Sequence, residues 1–155
     1  MALKVGDKAP EFKLKDSFEK EVSLSDFKGK RIILYFYPKD NTPGCTKEAC
    51  NFKDNWKVFL DNNIHVLGIS KDSSNSHNKF IDKYKLPFTL LTDIEPCPVA
   101  TSYGSYGLKK FMGREYMGMM RHTFVVDKAG KIEFIYLKVK AAFMADKILE
   151  DIGLG

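Results

Sequence analysis

Cysteine is scarce in this chain: three residues in 155, at positions 45, 50 and 97. So small and odd a number excludes the oxidatively stapled scaffold of small secreted domains, and in a reducing compartment a close pair is more often catalytic or metal-binding than structural. Histidine is equally sparse. His65, His77 and His122 are scattered, none at ligand spacing from the cysteines, which argues against a metal centre. No apolar run approaches the roughly 18 to 20 residues that cross a bilayer. The opening stretch Met1-Ala2-Leu3-Lys4-Val5-Gly6-Asp7 lacks the apolar segment of a signal peptide, so the expectation is a cytoplasmic protein without a membrane partner. Neither charge sign dominates: 25 Lys and Arg face 20 Asp and Glu, for a net +5. The lysines are spread singly among acids, with no basic arm and no basic helix interleaved with aromatics, which speaks for a solvated surface and against nucleic acid as partner.

What is present fits one globular domain over residues 1–155, 44% hydrophobic and large enough for a real core. Turn signals at Gly6-Asp7, Ala9-Pro10 and Lys28-Gly29-Lys30 surround short alternations, Phe12/Leu14 and Val22/Leu24, that predict half-buried strands in an N-terminal extension. Ile32 to Tyr37 and Ile64 to Ile69 are near-continuous apolar runs of strand length, as expected for strands covered on both faces. The segment between them is helical in pattern, giving a β-α-β unit. A second helix fits Asn75 to Lys85, then a strand Phe88 to Thr92. Strands Arg121 to Asp127 and Ile132 to Val139 flank the turn Lys128-Ala129-Gly130-Lys131 and should pair as an antiparallel hairpin. Met144, Ile148, Leu149 and Ile152 predict a closing amphipathic helix stopped by Gly153. The fold class is α/β, a mixed central sheet with helices on both faces.

Cys45 and Cys50 stand where the first apolar run gives way, through Pro38-Lys39-Asp40-Asn41-Thr42-Pro43-Gly44, to the helix. A thiol at a helix N-terminus meets the positive end of the macrodipole and unsatisfied N–H groups, both of which favour thiolate. At about 100° per residue, Ala49, Phe52, Trp56, Phe59 and Leu60 fall within about 60° of Cys45, which lies on the axis of the apolar stripe. Cys50 falls about 140° away, outside it, so the two thiols should differ in exposure. Ideal geometry separates their Cα atoms by about 8.7 Å, beyond the roughly 7 Å limit for a disulfide. If they bond during function, the first turns of the helix must unwind.

Pro38-x-x-x-Thr42-x-x-Cys45 resembles the active-site signature of the peroxiredoxins, and the string from Tyr35 to Cys50 is similar to the bacterioferritin comigratory protein, or peroxiredoxin Q, subfamily. The likeness extends to Gly6-Asp7-x-Ala9-Pro10-x-Phe12-x-Leu14, to Val22 through Lys30, and to Arg121-x-Thr123-Phe124-Val125-Val126-Asp127. It implies a thioredoxin-like fold and thiol-dependent reduction of hydroperoxides without cofactor or metal. By the resemblance, Cys45 matches the peroxidatic and Cys50 the resolving cysteine. Thr42 matches the hydroxyl that contacts peroxide, Arg121 the guanidinium that supports thiolate and peroxide, Glu48 the acid that holds the arginine, and Pro38 the shield of the pocket. It further implies an intramolecular Cys45–Cys50 disulfide, thioredoxin or a similar dithiol as reductant, and a monomer. A thiol–disulfide electron carrier or a non-enzymatic peroxide sensor on the same fold are the rival readings.

Thiolate formation alone does not make a peroxidase. Lowering the pKa of a thiol from about 8.5 to about 6 raises its thiolate fraction at pH 7 roughly thirtyfold. The accompanying loss of nucleophilicity is roughly thirteenfold at a Brønsted slope of about 0.45, leaving only a two- to threefold gain. The larger share must come from donors aimed at the two oxygens as the O–O bond stretches: the Thr42 hydroxyl, the Arg121 fork and backbone N–H groups near Gly44 and Cys45. Cys97, in Ile94-Glu95-Pro96-Cys97-Pro98, reads as a passive thiol, His77 as a packed core residue, and His122 as facing away from the pocket if Arg121 faces it. Met112, Met117, Met119 and Met120 suggest either an adaptable apolar rim for organic hydroperoxides or plain loop packing.

Overall fold

The computed structural model of the chain describes residues 3–154; Met1, Ala2 and Gly155 lie outside the described residues. Its centre is the strand β3 (Arg31–Phe36), where Ile32 to Phe36 are all buried. Every second residue serves a different core. Ile33, Tyr35 and, just past the strand, Tyr37 pack with Cys45, Ala49, Phe52, Phe80, Phe88 and Ile148. Ile32, Leu34 and Phe36 pack with Leu67, Ile69, Leu91, Cys97, Ala100 and Phe124 on the opposite face. An unbroken apolar run is therefore what this position requires.

β3 pairs in parallel with β4 (Ile64–Ser70), which pairs in parallel with β5 (Thr89–Thr92). The N-terminal hairpin, β1 (Lys13–Asp16) and β2 (Glu21–Ser23), adds antiparallel to β5, as the extension predicted from the alternations there. On the other flank β8 (Thr123–Val126) and β9 (Ile132–Tyr136) complete a seven-stranded mixed sheet of order β2-β1-β5-β4-β3-β8-β9. The β8–β9 turn forms as expected: Asp127 Oδ1 accepts the N–H groups of Ala129 and Lys131, each at 2.9 Å, and Gly130 takes φ 81°. Both strands are shorter than predicted, since Arg121 and His122 precede β8 and β9 ends at Tyr136.

Helices α1 (Pro43–Asp54), α2 (Trp56–Asp61), α3 (Ser74–Tyr84) and α5 (Met144–Asp151) supply apolar side chains to the core that holds Cys45. The short α4 (Pro98–Ser102) and a 3₁₀ turn at Leu24–Phe27 cover the other face. The cysteine helix is not continuous. Asn55 leaves the helical conformation and its Nδ2 donates back to the Asn51 carbonyl at 2.8 Å. The break rotates α2 out of the expected phase, so Phe59 is buried while Leu60, placed on the apolar stripe by a continuous wheel, is 62% exposed.

Two strands and the short α4 were not expected. β6 (Tyr106–Phe111) and β7 (Arg114–Met119) form a separate two-stranded hairpin where the methionine-rich loop was predicted. Its two-residue tip, Met112 at φ 52° and Gly113 at φ 79°, is left-handed at both positions, the geometry that matches strand twist. The methionines therefore do not form one rim: Met112 at the tip is 87% exposed, whereas Met119 is buried.

Candidate functional site

The loop from Pro38 to Thr42 ends in the N-terminal residue of α1. Thr42 is extended and caps the helix by position, and Pro43 and Gly44 precede Cys45 in the first turn. The N–H groups of this turn have no partner within the helix. A threonine here ordinarily bonds one of them, but Thr42 does not. Its hydroxyl instead donates to the Lys39 carbonyl at 2.9 Å. This corrects the expectation of a hydroxyl donor to peroxide: with its proton committed, Thr42 Oγ1 offers lone pairs to an incoming O–H.

Cys45 is 1% exposed, with its sulfur next to Arg121. Nη2 of Arg121 contacts Cys45 Sγ at 3.3 Å, and Nη1 donates to Glu48 Oε1 at 3.0 Å. Burial works against the guanidinium charge, but Glu48 and Cys45 beside it raise the Arg121 pKa overall. Glu48, one turn after Cys45, is wholly buried; burial pushes its carboxyl up to about 7 despite Arg121, and its Oε2 has no protein partner. Tyr35 reaches the same region from β3, its buried hydroxyl also unpartnered.

Gly44 is what allows the arginine so close. A Cβ on this residue would stand 3.0 Å from Arg121 Nη2 and 3.6 Å from Cζ. Gly44→Ala should therefore displace the guanidinium and lower the rate of Cys45 oxidation about tenfold. An unchanged rate would show that the arginine accommodates a methyl group.

Cys50 lies on the same helix, half-buried, its thiol pushed up by burial, with Lys53 opposing and Asp54 reinforcing the shift. Cys45, Cys50 and Cys97 are all free. Cys97 sits in the opposite core; it donates to the Asp93 carbonyl at 3.3 Å, and burial, with Asp93 and Glu95, raises it to about 11. The sheet separates it from Cys45, which agrees with a passive thiol. Pro38 is half-buried at the start of the loop, and His122 turns its main-chain carbonyl to the Phe36 N–H. A cavity of about 230 Å³ bounded by Lys8, Glu11, Phe27 and Ile32 lies toward the core opposite Cys45 and includes none of these side chains.

The structure thus brings Thr42, Gly44, Cys45, Glu48 and Arg121 together and leaves Cys50 about one and a half helical turns from Cys45. Sequence reasoning missed two groups beside them and misjudged the setting of a third. Lys109 of β6 donates to the Met119 carbonyl at 3.0 Å; burial lowers its pKa, and Arg121 adds to the shift. Asn51 fastens α1 to α5, its Oδ1 accepting the Ala145 N–H at 2.6 Å and its Nδ2 donating to Asp146 at 3.0 Å. His77 is buried as predicted, but in a polar cluster with Asp40 rather than in a purely apolar core. Among the described residues no helix is long and apolar enough to cross a membrane, and no cluster of His, Cys, Asp and Glu is arranged to hold a metal ion.

Residues 5–135 match the model of the AhpC/TSA family. Peroxiredoxin Bcp of Bacillus subtilis is 47% identical over 140 residues, covering 90% of this chain and 88% of that one. A putative peroxiredoxin bcp of Coxiella burnetii is 49% identical over 140 residues, covering 90% and 92%. Among solved structures, the bacterioferritin comigratory protein of Xanthomonas campestris, described for its alkyl peroxide reduction activity, superposes with a TM-score of 0.85 at 30% identity over 92% of this chain and 90% of its own.

Proposed function

The chain belongs to the AhpC/TSA family and is a thiol peroxidase of the peroxiredoxin kind with a thioredoxin-like fold, and from this premise we propose that Cys45 is its peroxidatic and Cys50 its resolving cysteine. The observation that carries the assignment is the contact of Arg121 with the buried Cys45 sulfur, braced from behind by Glu48. Thiolate sulfur attacks the hydroxyl oxygen of the hydroperoxide; the O–O bond breaks, and the alkoxide or hydroxide takes a proton and leaves as alcohol or water. The arginine N–H groups and the first-turn amides stabilise negative charge as it moves onto the leaving oxygen. Thr42 accepts the peroxide O–H, and Pro38 shields the pocket.

Cys45 sulfenic acid then condenses with the Cys50 thiol, releasing water and forming the disulfide. Both lie in α1, so its N-terminal turns unwind for this step. A dithiol reduces the disulfide; we assign thioredoxin, acting in the cytoplasm on a monomer that works as one domain. Hydrogen peroxide and, by likeness to the Xanthomonas protein, alkyl hydroperoxides are the substrates.

Peroxide-dependent NADPH oxidation through thioredoxin and its reductase tests the scheme. Wild type should turn over many times, whereas Cys50→Ser should consume about one equivalent of peroxide per chain and stop. Thr42→Val should lose tenfold or more in kcat/KM for peroxide, about the effect of losing one aligned polar contact. Full turnover by Cys50→Ser would assign resolution to another thiol, and an unaltered Thr42→Val would remove threonine from the chemistry.

A further inference from the structure

The direction of the Thr42 hydroxyl is not set by Thr42 itself. Its proton goes to the Lys39 carbonyl, which belongs to the Lys39–Asp40 peptide. The N–H of that same peptide donates to Asp72 Oδ2 at 2.8 Å. One rigid plane therefore links Asp72 on one side to the Thr42 hydroxyl on the other. Asp72 is itself held: Ser70 Oγ donates to its Oδ2 at 2.7 Å, its N–H returns a bond to Ser70 Oγ at 3.1 Å, and its carbonyl accepts Thr92 Oγ1 at 2.7 Å.

The Asp40 side chain locks the plane from a second direction. Oδ1 accepts the Tyr37 hydroxyl at 2.5 Å, and Oδ2 accepts Ser76 Oγ at 2.8 Å and lies 2.7 Å from His77 Nδ1. The other ring nitrogen of His77, Nε2, meets the Leu91 carbonyl at 3.1 Å. Both ring nitrogens thus face acceptors, in a site where His77 has no solvent exposure. A buried polar cluster of this kind is a strong fixer of geometry, provided every partner is satisfied. Here it holds the loop on the Asp40 side of Asn41, a left-handed residue at φ 58° immediately before Thr42 whose own Oδ1 accepts the Tyr84 hydroxyl at 3.2 Å.

We propose that Asp72 and the buried Asp40–His77 pair are positioning residues for peroxide reduction: they fix the Lys39–Asp40 peptide so that its carbonyl turns the Thr42 hydroxyl to receive the peroxide O–H. None of the three touches the sulfur or the oxygens. Their effect passes wholly through Thr42, and the inference rests on the reading of Thr42 as a substrate contact.

The test is a double-mutant cycle between Asp72→Ala and Thr42→Val, read by stopped-flow oxidation of Cys45 with hydrogen peroxide and, separately, by alkylation with iodoacetamide. Asp72→Ala should slow peroxide oxidation about tenfold and alkylation less than about twofold, since alkylation needs the sulfur but no O–H acceptor. Asp72→Asn, which keeps an oxygen for the Asp40 N–H, should recover to within about threefold of wild type. In the Thr42→Val background Asp72→Ala should add nothing. Ser70→Ala, a milder loosening of Asp72, should follow the same pattern at about threefold and serves if Asp72→Ala does not fold. Additive losses, or equal losses in the two reactions, would overturn the inference while leaving Thr42 as substrate contact. An unimpaired Thr42→Val would instead overturn that underlying reading, and this one with it.

Discussion

Replacing Arg121 with methionine should lower kcat/KM for hydrogen peroxide about a hundredfold to a thousandfold, the scale seen when a preorganised donor to developing negative charge is removed. The side chain has two separate duties, since Nη2 meets the sulfur at 3.3 Å and Nη1 meets Glu48 at 3.0 Å. Methionine fills the space and abolishes both. Lysine should rescue little, because one ammonium cannot span two partners that the planar fork reaches with different nitrogens. Glu48 would meet the loss by keeping its proton, so the variant should fold while its carboxyl titrates higher than in wild type. Stopped-flow measurement of Cys45 oxidation decides the matter; a drop of less than about fivefold would mean that backbone N–H groups carry the charge alone.

The second large effect is one of pH. Glu48 has an ordinary value of 4.5 and titrates near 7 in the folded chain, with burial as the main cause and Arg121 opposing it. Between those limits the folded protein keeps a proton that the unfolded chain has released. Stability must therefore fall as pH climbs through that window, then level off above about 7. The drop from this one group is on the order of 3 kcal/mol. Glu48→Gln removes the titration, so urea unfolding at pH 4.5 and pH 7.5 should show a smaller loss in the variant than in wild type. Parallel losses would show that Arg121 keeps Glu48 ionised throughout. Glu48 also lies between the two cysteines, and unwinding α1 carries it into water. Disulfide formation should consequently gain more from rising pH in wild type than in Glu48→Gln, where only the thiol of Cys50 still titrates on that segment's path.

Much of this was legible in the sequence because the relevant signals are local. The doubly covered strand β3, the proline and glycine before Cys45, and the turn around Gly130 each announce themselves within a few residues. The spacing of Thr42, Cys45 and Arg121, read as a resemblance, named the residues that the fold then brings together. What stayed hidden depends on contacts across long stretches of chain. Asp40 meets His77 and Asp72 only after β4 and α3 are in place, and nothing near Lys39 shows that its carbonyl claims the Thr42 proton. Leu60 was misplaced because a helical wheel assumes an unbroken helix, and Asn55 breaks it with a side-chain bond to its own preceding turn. The β6–β7 hairpin did leave a trace, the Met112-Gly113 tip, but methionine is an unusual partner for glycine in such a turn and the strands around it are mostly exposed.

The Asn51 clasp on α5 gives the unwinding step a length. Asp40 and Asn41 are tied down before the cysteines and Asn51 just after them, so the helical chain free to rearrange between these posts is residues 43–50. Those eight residues rise about 1.5 Å each when helical and reach about 3.3 Å each when extended, a reserve of roughly 14 Å. Cys50, tethered beside its post, has little freedom to travel; Cys45, at mid-span, has the slack. The rest of the molecule can stay folded while eight residues pay out like a loop of rope between two cleats.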